Sequence, residues 1–211
     1  MTIFADRRDA GRELAVLLEA ARDTDSIVFG IPRGGVVVAA EVARSLELAL
    51  AVIVVRKLGE PSHQEFAVGA IADGVRVVNP EAVRQSGVTP EQLSHVEDLE
   101  RVELERRRRL FAASLPALGD TTAIVVDDGV ATGATAMAAC QALRAQGARR
   151  IILAVPVAPA KWRPDSAAVD EFVCPHLVRD FWAVGQFYTD FTQTTDEEVS
   201  RLLSRDLPAE E

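Results

Sequence analysis

Hydrophobic and polar positions fall in alternating blocks along this chain, some with helical period and some as short continuous runs. Ala10, Leu14, Leu17, Leu18 and Ala21 recur at helical spacing behind Asp6, a side chain suited to cap a helix start. An apolar run over residues 26–31 follows, then a second helical stretch over about 36–46, then a run over 50–55. Residues 122–126 and 150–156 are further strand-like runs, separated by a helical pattern over about 133–146 that Gly147 is placed to stop. Residues 169–174 predict one more strand. Near-continuous apolar strands alternating with helices are what a parallel sheet covered on both faces requires. The pattern therefore predicts an α/β fold: a doubly wound, mainly parallel sheet flanked by helices, with right-handed crossovers.

The middle of the chain departs from that rhythm. Residues 56–65 are polar and contain Gly59 and Pro61, which predicts a mobile loop. Residues 66–72 and 75–79 predict a hairpin turning at Asp73-Gly74. Thr89-Pro90-Glu91-Gln92 predicts a helix start, with a capping threonine, proline at the first helical position and glutamine at the third. That helix should run to about residue 113. Its acidic first half and the four arginines Arg106 to Arg109 at its end match the helix dipole, so the arginines read as a solvated helix end rather than a nucleic-acid surface. Thr195-Asp196-Glu197-Glu198 is a capping box for a last helix to about residue 203.

Composition narrows the class. The chain has 211 residues, 48% hydrophobic and 26% charged, enough to bury one sizeable core and too apolar for a disordered chain. One domain over residues 1–211 is expected, with its core at about 26–156. Two cysteines, Cys140 and Cys174, make no disulfide scaffold, and no apolar run reaches the roughly 18 residues of a membrane span. The first residues show no apolar signal-peptide core, so a cytoplasmic protein with no membrane partner is expected. The net charge of −9 argues against nucleic acid as a partner.

The chemistry concentrates in Ile124-Val125-Val126-Asp127-Asp128-Gly129-Val130-Ala131-Thr132-Gly133-Ala134-Thr135. An apolar strand ends in two adjacent carboxylates, and a small-residue turn bearing hydroxyls then opens a helix. A helix N-terminus offers free backbone N–H groups to phosphate, Gly133 permits close approach, and Thr132 and Thr135 add hydroxyl donors. Asp127 and Asp128 stand where vicinal sugar hydroxyls could donate to them. Phosphate on one side and a diol on the other describe a ribose 5-phosphate site. No lysine follows the glycine as in a P-loop, and Gly30-Ile31-Pro32-Arg33-Gly34-Gly35 does not fit a dinucleotide fingerprint. No G-x-S-x-G occurs, and His63, His95 and His176 lack zinc-ligand spacing, which leaves hydrolysis without a nucleophile.

This acidic pair with its TGxT turn resembles the type I phosphoribosyltransferases. PRGGVVVA, EFAVGAI and VVDDGVATGAT together are closest to the predicted phosphoribosyltransferases of bacteria. The resemblance covers about residues 26–190 and implies the family's fold, with a small hood from the N-terminal segment and about residues 160–192. It implies that Pro32-Arg33-Gly34-Gly35 is the pyrophosphate loop, with a cis peptide between Pro32 and Arg33. Arg56-Lys57-Leu58-Gly59-Glu60-Pro61 is similar to the segment of adenine phosphoribosyltransferases that begins a flexible loop over the reacting complex. There Arg56 and Lys57 would neutralise departing pyrophosphate, and His63 or Glu65 would move a proton. Phe181 to Phe191 looks like the hood of hypoxanthine-type enzymes, with Trp182 as the platform for a purine and Ala183 or Val184 offering backbone contacts. The acid that lies near the metal in that family corresponds loosely to Asp190, one position farther along. Ala131 stands where hypoxanthine-type enzymes carry an Asp, which resembles the adenine and xanthine enzymes.

The expected function is Mg²⁺-dependent transfer of ribose 5-phosphate from phosphoribosyl pyrophosphate to a nucleobase, purine-like by preference, by a homodimer. Mg²⁺ would be bound mainly through phosphoribosyl pyrophosphate, with no protein metal ligand. The residues expected to carry catalysis are Asp127, Asp128, Arg33 and Lys57. Those expected to bind substrate add Gly34, Gly35, Arg56, Ala131, Thr132, Gly133, Ala134, Thr135 and Trp182. The rival reading keeps the phosphoribosyl site in a non-catalytic regulator.

Overall fold

The computed structural model describes residues 2–61, 63–111 and 118–204, leaving aside the side chains of 63–66. Helix α1 (Arg7–Leu17) is capped by Asp6, whose side chain accepts from the Asp9 N–H. Strand β1 (Ile27–Gly30) leads into α2 (Gly34–Leu46) and β2 (Ala49–Val52). Strands β3 (Arg56–Glu60), β4 (His63–Ala72) and β5 (Val75–Val78) form an antiparallel sheet in that order. Helices α3 (Pro80–Ser86) and α4 (Pro90–Leu110) follow. The chain then returns through β6 (Thr122–Val126), α5 (Ala134–Ala145) and β7 (Arg150–Ala154). Three short strands, β8 (Val157–Pro159), β9 (Glu171–Val173) and β10 (His176–Val178), precede the last helix, α6 (Asp196–Ser204).

The main sheet is β2-β1-β6-β7-β9, parallel throughout. Its strands are apolar on both faces because both are covered. On one face α5 packs Ala138, Ala139, Ala142 and Leu143 beneath Phe29, Val125 and Leu153. On the other, α1 and α2 pack Leu14, Val38, Val42 and Leu46 on Val28, Ile124 and Val126. The doubly wound prediction is the observed fold. The chain leaves β1 toward one edge and resumes at β6 on its other side, so a crevice opens between the carboxyl ends of β1 and β6.

Differences from the sequence expectations have local causes. Residues 56–60, expected to be loop, form β3, with Lys57 opposite Ala70 and Leu58 opposite Gly69. Leu58 is fully buried with Val36, Val54 and Val68, while its neighbours face outward, a period-two pattern hidden by charged and turn-forming residues. β2 stops at Val52, and residues 53–55 leave the sheet while staying buried. The structure adds α3, which Asn79 caps through the Glu81 and Ala82 N–H groups, Pro80 opens and Gly87 ends at φ 68°. The end expected for α4 near residue 113 lies outside the described residues.

β8 and β10 form a separate parallel pair, and Phe4 bridges to Tyr188. Phe4, Ala10, Val157, Phe187 and Tyr188 make a small core that joins the chain's beginning to its C-terminal segment. Among the described residues no helix is long and apolar enough to cross a membrane. Each of Arg106 to Arg109 meets a carboxylate: Glu103 and Asp196 for Arg106, Glu103 for Arg107, Asp73 for Arg108 and Glu105 for Arg109.

Candidate functional site

Two helix starts converge on the crevice. α2 begins directly behind the loop that leaves β1, and the Pro32–Arg33 peptide there is cis. α5 begins behind Gly133, which adopts the left-handed φ of 82° that only glycine takes without penalty. Its first helical bond is the Met137 N–H to the Gly133 carbonyl, so the N–H groups of residues 134–136 have no carbonyl one turn back. A pocket of about 640 Å³ lies between the two starts. Arg33, Gly34, Lys57, Asp127, Asp128, Ala131, Thr132, Gly133, Thr135 and Trp182, all expected from the sequence, line it.

The acidic pair sits at the floor because β6 ends there. Asp127 Oδ1 accepts from the Asp128 N–H at 2.9 Å. Burial, then the charge of Asp128, pushes the Asp127 carboxyl well above its ordinary range, opposed by the nearby Lys57 and Arg7. Burial raises Asp128 too, opposed chiefly by Arg7. Two partly buried, adjacent carboxylates make a poor resting arrangement and a good receptor for hydroxyl donors or for a ligand carrying positive charge. Gly34 and Gly35 are required because a Cβ at either would collide with Asp128 or Asp127.

The remaining expected residues lie differently. Gly35 is buried behind the pocket against Asp127, and Ala134 packs into the core beneath α5. Arg56 does not line the pocket: its Nε donates to Glu100 on α4 at 2.6 Å. Trp182 stands at the mouth with 89% of its surface exposed. Asp190 lies outside the pocket, its carboxylate taken by the Thr192 N–H and hydroxyl. The His63 and Glu65 side chains lie outside the described residues.

Several contributors carry no motif. Trp162 packs its ring on Gly133, and its Nε1 donates to the Thr132 carbonyl at 3.2 Å, bracing the turn from outside. Tyr188 donates to the Asp128 carbonyl at 2.6 Å, and Arg7 donates to Asp128 Oδ2 at 2.8 Å. Phe191, Val184 and Gly185 complete the wall beside Trp182. The aromatic density of residues 181–191 signals that wall in the sequence. Arg7 and Trp162, 121 and 30 residues from the groups they bond, give no sequence signal.

The site offers two partly buried carboxylates, a helix start edged by hydroxyls, two cations and an aromatic rim. Among the described residues no group of three His, Cys, Asp or Glu side chains could hold a metal ion.

The profile of the family described as the phosphoribosyl transferase domain matches residues 6–192. A Mycobacterium tuberculosis protein, named as a candidate phosphoribosyl transferase, is 48% identical over 210 residues, covering 97% of this chain and 47% of that protein. The chain thus spans about half the length of the curated relatives it matches. The crystal structure of TT1426 from Thermus thermophilus superposes with a TM-score of 0.73 at 40% identity, over 97% of this chain and 99% of that one. A Neisseria gonorrhoeae protein solved with bound ppGpp shares the fold at a TM-score of 0.52 and 13% identity, over 97% of each chain.

Proposed function

This chain belongs to the phosphoribosyl transferase domain family, and from that premise we propose that it transfers ribose 5-phosphate from phosphoribosyl pyrophosphate to a ring nitrogen of a purine-like base. The observation that carries the reading is the meeting, in one pocket, of the Asp127–Asp128 pair with the start of α5. A diol receptor and a phosphate cradle lining one pocket suit the two ends of one ribose 5-phosphate.

Each part has a stated task. Asp127 and Asp128 accept the ribose hydroxyls, and the turn 131–135 takes the 5-phosphate through backbone N–H groups and threonine hydroxyls. Arg33 and Lys57 bind the pyrophosphate. When the bond between C1′ and the pyrophosphate oxygen breaks, its electron pair leaves with pyrophosphate and the ribose becomes oxocarbenium-like. The neighbouring carboxylates favour that positive charge. The base nitrogen then bonds to C1′ and gives up its proton to solvent. Trp182 and Phe191 offer flat apolar surface to a ring, and the small Ala131 leaves room beside it.

The donor set fits Mg²⁺ carried by the substrate rather than caged by protein, because Mg²⁺ binds phosphate oxygens readily and retains its waters. Bound in that way it would offset charge on the departing pyrophosphate.

The test offers purified protein, Mg²⁺ and phosphoribosyl pyrophosphate a panel of purines, pyrimidines and orotate while pyrophosphate release is measured. Release with a purine is expected. Tight binding of phosphoribosyl pyrophosphate with no release for any base would overturn catalysis and favour a regulator. Replacing both carboxylates, Asp127→Asn with Asp128→Asn, should weaken phosphoribosyl pyrophosphate binding by about tenfold or more, since each charged acceptor is worth roughly 1.5–3 kcal/mol. Wild-type affinity in that double variant would remove the ribose assignment.

A further inference from the structure

Arg7 is remote in sequence from every motif that predicts the site, yet it reaches the acidic pair. It is the first residue of α1, and only 11% of its side chain is exposed. Its Nε donates to Asp128 Oδ2 at 2.8 Å, and Nη1 donates to the Thr192 carbonyl at 2.8 Å. Its guanidinium carbon lies 3.9 Å from the centre of the Phe191 ring. Asp128 is held from its backbone as well, by the Tyr188 hydroxyl. Gly34 closes the remaining side, since a Cβ there would overlap both Asp128 Oδ2 and Arg7 Nε.

One planar cation therefore bonds a carboxylate, ties down a backbone carbonyl and stacks on an aromatic ring. Lysine cannot do all three, because its charge is a point without a fork or a flat face. The ring on which Arg7 stacks lines the pocket, as does the carboxylate it bonds. The segment that carries Arg7 is itself pinned: the Thr189 and Asp190 N–H groups donate to the carbonyls of Phe4 and Ala5 at 2.9 Å each.

On the reading of this site as a ribose 5-phosphate receptor, we infer that Arg7 is the positioning residue of Asp128. It occupies Oδ2, leaves the other carboxylate oxygen for the ligand, and joins that carboxylate to the Phe191 wall on the acceptor side. Its effect is confined to the ribose half of the substrate. The pyrophosphate half depends on Arg33 and Lys57, carried by other elements.

Calorimetric titration with ribose 5-phosphate and, separately, with magnesium pyrophosphate tests this division. Arg7→Gln should weaken ribose 5-phosphate binding by about tenfold or more while pyrophosphate binding stays within about twofold. Arg7→Lys should recover only part of the loss. Arg8→Gln, which removes the neighbouring guanidinium paired with Glu41, should leave both affinities at wild type. Equal loss of both ligands in Arg7→Gln, or loss of neither, would overturn the assignment. If circular dichroism shows Arg7→Gln unfolded, Arg7→Lys carries the test, and full wild-type affinity there overturns it. Wild-type protein that binds no ribose 5-phosphate would overturn the proposed function and the Arg7 role together. Ribose 5-phosphate binding that is present in wild type and unchanged in Arg7→Gln would overturn the Arg7 role alone.

Discussion

Asp127 and Asp128 are placed at a cost to the unliganded protein. A carboxyl whose pKa is raised on folding holds its proton more tightly in the folded state. Its contribution to stability therefore falls as pH rises through the carboxylate range. Asp127→Asn removes one charge and keeps an oxygen for the Asp128 N–H, so it should stabilise the unliganded protein at pH 7. The expected sign is an upward shift of the melting temperature. The gain should shrink as pH falls and the wild-type carboxyls take up protons; thermal melts at pH 7 and at a lower pH check it. A gain that is independent of pH would point to packing instead. The residues that touch ligand in this reading were mostly legible in the sequence, because a phosphate turn and a paired acid need particular residue types side by side. The residues that hold them, Arg7, Trp162 and Tyr188, were not, because a hydrogen bond across the fold leaves no spacing to read.

At the scale of elements, the helices were legible where their ends carry chemistry. Thr89 and Gln92 make the reciprocal capping box that their spacing predicts, and Thr195 caps α6 through the Glu198 N–H. α3 carries an equally clear start at Asn79-Pro80 but has only seven residues, too few for an apolar period to show. Asn79→Ala should cost about 1 kcal/mol by stripping the acceptor from two N–H groups, lowering the melting temperature by about 2–4 °C. Calorimetry of that variant checks it, and an unchanged melt would show that the cap contributes nothing. In β3 composition outweighs period: Arg56, Lys57, Gly59 and Glu60 read as loop, while the single buried Leu58 decides the strand. Its pairing with β4 puts Lys57 on the pocket wall, and α4 draws Arg56 away to Glu100.

Across the whole molecule, a net charge of −9 surrounds a site proposed for a polyanion. The reconciliation is local, because Arg33, Lys57 and a helix start face the pocket, and the arginine-rich run Arg106 to Arg109 is matched by acidic neighbours. The pocket is walled by the loops after β1 and β6, by Lys57 of β3 and Ala67 of β4, and by residues 182–185 and Phe191 near the C-terminus. Ligand binding should therefore raise the global melting temperature rather than order one loop. Phosphoribosyl pyrophosphate with Mg²⁺ at about 100 times its dissociation constant should add about 2.7 kcal/mol, an upward shift of roughly 5–10 °C. A melt left unmoved at that concentration would show that the ligand does not bind the folded protein in preference to the unfolded chain.

The sequence by itself determined the main strands and helices of the covered parallel sheet, and the acid pair and phosphate turn within it. These depend on neighbours in the chain: burial on two faces, a strand end, a helix start. Only the tertiary structure decided which cations reach the pocket, that residues 56–60 pair as a strand, and that α1 supplies an arginine to Asp128. The strand at 56–60 depends on the pairing with β4 that buries Leu58, and the arginine depends on where β6 ends relative to a segment 121 residues away. Sheet order and packing set that distance, and no local pattern encodes it.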